Sequence, residues 1–139
     1  MTTKQWLEQG EHIMREIKTL EAEKDAAALH VAKITHDIQD KIAKTSRTRN
    51  DAALVKYADS EYIARIDKRL KELQAILNEI TQAIHSVENG KQRFILINRY
   101  LLPTPKYWKE ISIDMGISES YVYELHAKAL KSVEKHSNS

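Results

Sequence analysis

The apolar residues of this chain fall into stripes of helical spacing, parted by polar runs and a few glycine and proline breaks. From Trp6 to Ile42 the stripe is Trp6, Ile13, Ile17, Leu20, Ala27, Val31, Ile34, Ile38 and Ile42. Its steps are mostly three, four or seven, the spacing of a helix that buries a narrow seam. Lys24 and Ala27 weaken its middle. A second stripe, Ile63, Ile66, Leu70, Leu73, Leu77, Ile80, Ile84 and Val87, alternates three and four without a break. Charges such as Arg65, Asp67, Lys68, Arg69, Lys71 and Glu72 fill its other faces. The pattern predicts two long helices. Between them, Thr45 to Asp51 is polar and rich in residues that compete for backbone hydrogen bonds, so it reads as a turn. Either Asp51 or Ser60 could begin the second helix. The result is a long antiparallel hairpin with arms of roughly 45–60 Å. Its narrow seams suit pairing within one chain, and equally a four-helix association of two chains.

Asn89-Gly90 is expected to stop the second arm. A shorter helix follows from Lys91 to about Leu102, with Phe94, Ile97 and Leu101 on one face, and Pro103 ends it. Thr104-Pro105 offers a helix cap followed by a proline in the first turn. Trp108, Ile111 and Met115 then form one apolar stripe, and Val122, Leu125, Ala129 and Val133 another. Gly116-Ile117-Ser118 lies between. Glycine permits the positive φ that ends a helix, Ile117 can enter the core, and Ser118 can accept from the first free N–H groups of the next helix. This is the sequence form of a helix-turn-helix, the device that presents a helix to the DNA major groove. An ordinary helical hairpin of a bundle is the plainer alternative. The fold class expected is all-α, with a helical hairpin over residues 1–89 and a three-helix, helix-turn-helix domain over residues 90–139.

If the second helix of that motif begins at Glu119, with Val122, Leu125 and Ala129 inward, its outward residues are Glu119, Ser120, Tyr121, Tyr123, Glu124, Lys128 and Lys131. With Ser118, Lys106 and Lys109 they form the candidate DNA-binding set. The tyrosines could donate to phosphate oxygens or pack on thymine methyl groups, and Glu124 could accept from a cytosine amino group. Packing of both tyrosines on a partner protein is the competing use. Glu119 favours the helix dipole but repels phosphate. Lys135, Arg93 and Arg99 join the lysines as expected phosphate neutralisers, whereas Arg47 and Arg49 are read as solvated residues at the hairpin tip.

Charge changes the picture only through its distribution. The 139 residues carry a formal net charge of +2. Residues 1–45 hold 7 basic and 8 acidic side chains, residues 46–90 hold 7 and 7, and residues 91–139 hold 8 and 5. The excess therefore falls at the helix-turn-helix end. With no cysteine, the chain has neither disulfides nor thiolate metal sites, in keeping with a cytoplasmic protein. The histidines are scattered, and His30 and His36 lie six apart, poor ligand spacing on a helix. No Gly-rich phosphate loop or nucleophile elbow occurs, so neither an enzyme nor a bound cofactor is expected. No apolar run approaches the roughly 20 residues of a membrane span.

The segment Glu110–Val133 resembles the C-terminal region-four domain of sigma-70-type transcription factors. The resemblance rests on Glu110-Ile111, Gly116-Ile117-Ser118, Val122 and the tail Ala127-Lys128-Ala129-Leu130-Lys131. Arg93 to Tyr100 is similar to the preceding helix of that domain, which ends in a comparable Arg-Tyr pair. The whole layout resembles the ArpU-type late transcription regulators of phages and prophages of Gram-positive bacteria. That resemblance implies promoter DNA as ligand, contact with RNA polymerase as an option, and a bacterial host cell's cytoplasm as location. A homodimer or higher oligomer through the hairpin completes the expected partners. Sigma factors carry arginines and a glutamine along the exposed recognition helix, where this chain has Tyr121, Tyr123 and Glu124. Two other functions fit the same pattern: a small-terminase-type DNA-packaging adaptor, and a polymerase-binding module without DNA binding.

Overall fold

The structure is a computed structural model that describes residues 1–42 and 49–137. Every described element is a helix: α1 (Thr3–Ile42), α2 (Arg49–His85), α3 (Gly90–Leu96), α4 (Trp108–Met115) and α5 (Glu119–Ser137). The last turn of α3 widens into a π-form over Ile97–Leu101. No described helix is long and apolar enough to cross a membrane. Residues 45–48 of the expected turn, Arg47 among them, lie outside the described residues. Arg49, Asn50 and Asp51 are already helical, so α2 begins close to the earlier of the two starts considered.

Local chemistry accounts for the ends. At the start of α1 the Thr2 hydroxyl accepts from the Gln5 amide at 3.2 Å, and the Gln5 side chain accepts from the Thr2 amide at 2.9 Å. That reciprocal pair satisfies two donors that a helix start otherwise leaves open. Asn89 does not stop α2, which ends at His85; it caps α3 instead, its side chain accepting from Gln92 N at 3.0 Å. An asparagine can do either, and the free N–H groups of α3 are what it meets.

By their contacts the residues group into two units, Met1–Glu16 with Gln74–Ser139, and Ile17–Leu73. In the first, α5 packs on α3 and α4. Ile95, Ile111, Val122 and Leu125 form the centre, with Trp108, Met115 and Ile117 half-buried against it. Leu7 and Ile13 of α1, Ile80 and Ile84 of α2, and Leu96, Tyr100 and Val133 are also buried in this unit. Gly10 is buried too, and a Cβ there would stand 2.8 Å from the Tyr100 carbonyl oxygen. The backbone of α1 thus comes closer to the π-turn than any side chain would permit.

In the second unit Ile66, Leu70 and Leu73 of α2 are buried. The matching residues of α1, Ile17, Leu20, Ala27, Val31 and Ile34, are all only half-buried. The side chains of Ile38 and Ile42 lie outside the described residues. Lys24, the polar member of the stripe, pairs with Asp67 at 2.7 Å, and this hydrogen-bonded carboxylate raises the lysine pKa. The Tyr62 hydroxyl donates to Glu23.

Two local expectations are corrected. The buried face of α3 and its π-turn is Ile95, Leu96, Asn98 and Tyr100, whereas Phe94 is exposed and Ile97 and Leu101 are half-buried. Phe94-Ile95-Leu96-Ile97 is an unbroken apolar run, which leaves helical phase undefined. Nor does Thr104 cap a helix: α4 begins at Trp108, after Tyr107, with no side-chain cap. Lys106 N instead donates to Asn98 O at 3.1 Å, and Arg99 Nη1 donates to Lys106 O at 3.0 Å. Those bonds tie the strap to the end of α3, and Pro105 disfavours helical backbone at Thr104.

Candidate nucleic-acid interface

The α4–α5 connection is built from three residues. Gly116 adopts φ 67° and ψ 33°, and its amide donates to Ile113 O. The Ile117 amide reaches Ser112 O at 3.1 Å, closing the end of α4. Ile117 then packs against the core, and Ser118 Oγ accepts from Tyr121 N at 3.2 Å to cap α5. The roles expected of Gly116, Ile117 and Ser118 are the ones these residues perform.

Helix α5 turns Val122, Leu125, His126, Ala129 and Val133 inward. Glu119, Ser120, Tyr121, Tyr123, Glu124, Lys128 and Lys131 are exposed on its outside, and Ser118 is exposed at its start. On α4, Lys109 is exposed as well. Lys106 differs: it is half-buried, and its ammonium donates to Asp114 at 2.9 Å. Arg93 and Arg99 are also engaged inside the molecule, donating to Val87 O at 2.9 Å and to Lys106 O. The cations best placed to meet phosphate are therefore Lys109, Lys128, Lys131 and Lys135.

Behind the outward face lies an aromatic stack that the sequence reading missed. The Arg99 guanidinium sits 4.8 Å over the Trp108 ring. Trp108 meets His126 edge-on at 4.6 Å and Tyr123 at 5.2 Å between ring centres. The Tyr100 hydroxyl and His126 Nε2 are 2.7 Å apart, and with a neutral ring the hydroxyl can donate to that nitrogen. Burial, aided by the charges of Lys4 and Arg99, lowers the His126 pKa from 6.5 to about 4. Burial and, secondarily, the Glu8 carboxylate push Tyr100 up to about 12. Both groups stay uncharged at neutral pH. The one sequence signal for His126 was its place four residues after Val122, on the inward face of the helix.

Tyr123 consequently rests one face on Trp108, while Tyr121 makes no such ring contact among the described residues. The surface combines two tyrosines, two carboxylates and spaced lysines on a helix whose inner face is packed against α3 and α4. It offers donors and flat apolar groups to a ligand, with modest positive charge. Among the described residues no group of His, Asp or Glu side chains is arranged to hold a metal ion. Comparison with protein-family models, with curated proteins and with solved structures finds nothing that matches this chain.

Proposed function

We propose that this protein is a sequence-specific DNA-binding regulator of transcription, built as a helical hairpin joined to a three-helix, sigma-region-four-like helix-turn-helix. The observation that carries the reading is the glycine-and-serine joint between α4 and α5. It combines a left-handed Gly116 with a Ser118 cap, and it leaves one whole face of α5 exposed. A helix so held can lie in a major groove, Tyr121, Tyr123 and Glu124 meeting base edges and the lysines meeting phosphates. The assignment to phage or prophage late genes, and to contact with RNA polymerase, rests on the resemblance to sigma-type and ArpU-type proteins. A single module of this size reads DNA weakly, so two copies on paired half-sites would supply specificity.

A protein-binding role for the same region has an observation of its own. Tyr107 and Ile113 of the α4 segment are 74% and 70% exposed, apolar surface that a protein partner such as polymerase could cover. Footprinting on the DNA flanking the protein's own gene separates the two. The wild type should protect a discrete site, and Tyr121→Ala/Tyr123→Ala should lose that protection. Equal protection by the variant removes these side chains from the interface. No protection by the wild type, with retained polymerase binding, favours the protein-binding role.

A further inference from the structure

A cavity of about 290 Å³ lies within the unit formed by Met1–Glu16 and Gln74–Ser139. Residues of α1 line one part of it, and residues of the π-turn and of the strap that follows line the rest. Leu7, Pro105 and Tyr107 supply apolar wall, and Tyr107 is 74% exposed, so the space is reached from water. Its volume falls at the small end of the clefts that hold organic ligands, roughly 300–1,000 Å³. None of the candidate DNA-binding residues lines it.

The charges in its wall select an occupant. Glu11 and Arg15 bond to each other at 2.6 Å and cancel. That leaves Glu8 of α1 and Arg99 of the π-turn, which among the described residues are not paired with one another. Glu8 pairs with Lys4 at 3.9 Å, both side chains being half-exposed, a contact worth little in water. Arg99 lies over Trp108 and donates from Nη1 to Lys106 O. A guanidinium has five N–H donors, so that bond leaves others to spare. Burial and then the Glu8 carboxylate push the Tyr100 pKa up, while Arg99 opposes them, so both charges act at the same buried ring of the wall. A ligand with only an anionic group would suit Arg99 and be repelled by Glu8, and a purely cationic one would meet the reverse. We propose that the cavity binds a small zwitterion, an α-amino acid with an apolar or aromatic side chain. Its carboxylate accepts from Arg99, its ammonium donates to Glu8, and its side chain lies against Leu7, Pro105 and Tyr107.

Thermal unfolding of the full chain tests this, with free leucine, methionine, phenylalanine and tryptophan as probes, each at about 10 mM. At least one should raise the Tm by about 2–5 °C, and calorimetric titration should show that it binds saturably. Its N-acetyl and carboxamide derivatives, each lacking one of the two charges, should give no rise. No rise with any of the free amino acids overturns the proposal, and so does an equal rise with either blocked form. Glu8→Gln should keep the Tm of the unliganded wild type, because this side chain is half-exposed, and should lose the rise caused by the ligand. A folded Glu8→Gln that responds as the wild type does overturns the proposal. Should that variant fail to fold, Tyr107→Ala decides. Removing so exposed a ring spares the fold and should diminish the rise, and an undiminished rise overturns the proposal. The test needs no DNA, so a failed footprint would leave this site standing, and a failed titration would leave the regulator reading as it is.

Discussion

His126 shows how a single side chain can set the conditions under which the C-terminal helices stay together. Buried against Trp108 and Tyr100, it has a pKa of about 4 in the folded protein against 6.5 when unfolded. Between those values the unfolded chain binds a proton that the folded chain does not. Its contribution is therefore fully present above about pH 6.5 and is lost as the pH falls toward 4. At about pH 5 the loss should be about 2 kcal/mol, visible as a lower Tm than at neutral pH. His126→Phe should flatten that pH dependence; an unchanged slope would show that the ring is not the responsible group. This residue was hard to read in the sequence because histidine is at home both inside and outside a helix. Gly116 and Ser118 were legible for the opposite reason. Few residues tolerate φ 67° or cap a helix well, so their chemistry nearly specifies their place.

Among the elements, the close approach of α1 to the π-turn is the sharpest constraint. Glycine inside a helix ordinarily costs about 1 kcal/mol relative to alanine, so Gly10→Ala would stabilise an isolated α1. Here the added methyl would meet the Tyr100 carbonyl oxygen, a backbone atom with no rotamer to change. Gly10→Ala should therefore destabilise the protein by about 1–3 kcal/mol, measured by urea or thermal unfolding. A rise in stability would mean that α1 does not dock there. Both long helices were legible because their stripes run for many turns, α2 most clearly. The short α3 was not, because Phe94-Ile95-Leu96-Ile97 offers no phase and the π-turn at Ile97–Leu101 shifts the register after it. Thr104-Pro105 matched a helix start in composition, yet Arg99 and Asn98 hold the residues that follow in a strap. Bonds of that kind join residues that no local pattern relates.

For the molecule as a whole, the net charge of +2 is small and three of its C-terminal cations are bonded internally. Any DNA affinity must then depend on few phosphate contacts. Lys128→Ala/Lys131→Ala should flatten the dependence of log affinity on log salt by about two units and weaken all sequences alike. A variant that instead changed the preferred sequence would place these lysines at base edges. The candidate face could be drawn from the sequence because inward and outward positions of α5 follow directly from Val122, Leu125 and Ala129. What pairs with Lys106, or lies beneath Tyr123, could not, since Asp114 and Trp108 reach them only through the folded arrangement of α4 and α5.

The first sixteen residues belong with the last sixty or so, while Ile17–Leu73 form a unit of their own. A nascent chain leaving the ribosome can pair its long helices early, but Gly10 must wait for Tyr100 to be made. The docking of α1 on the π-turn therefore joins the two most distant stretches of this unit and cannot form until the π-turn has been made. A severed carboxyl-terminal fragment would lack the α1 backbone that lies against Tyr100 and would leave that carbonyl open to water.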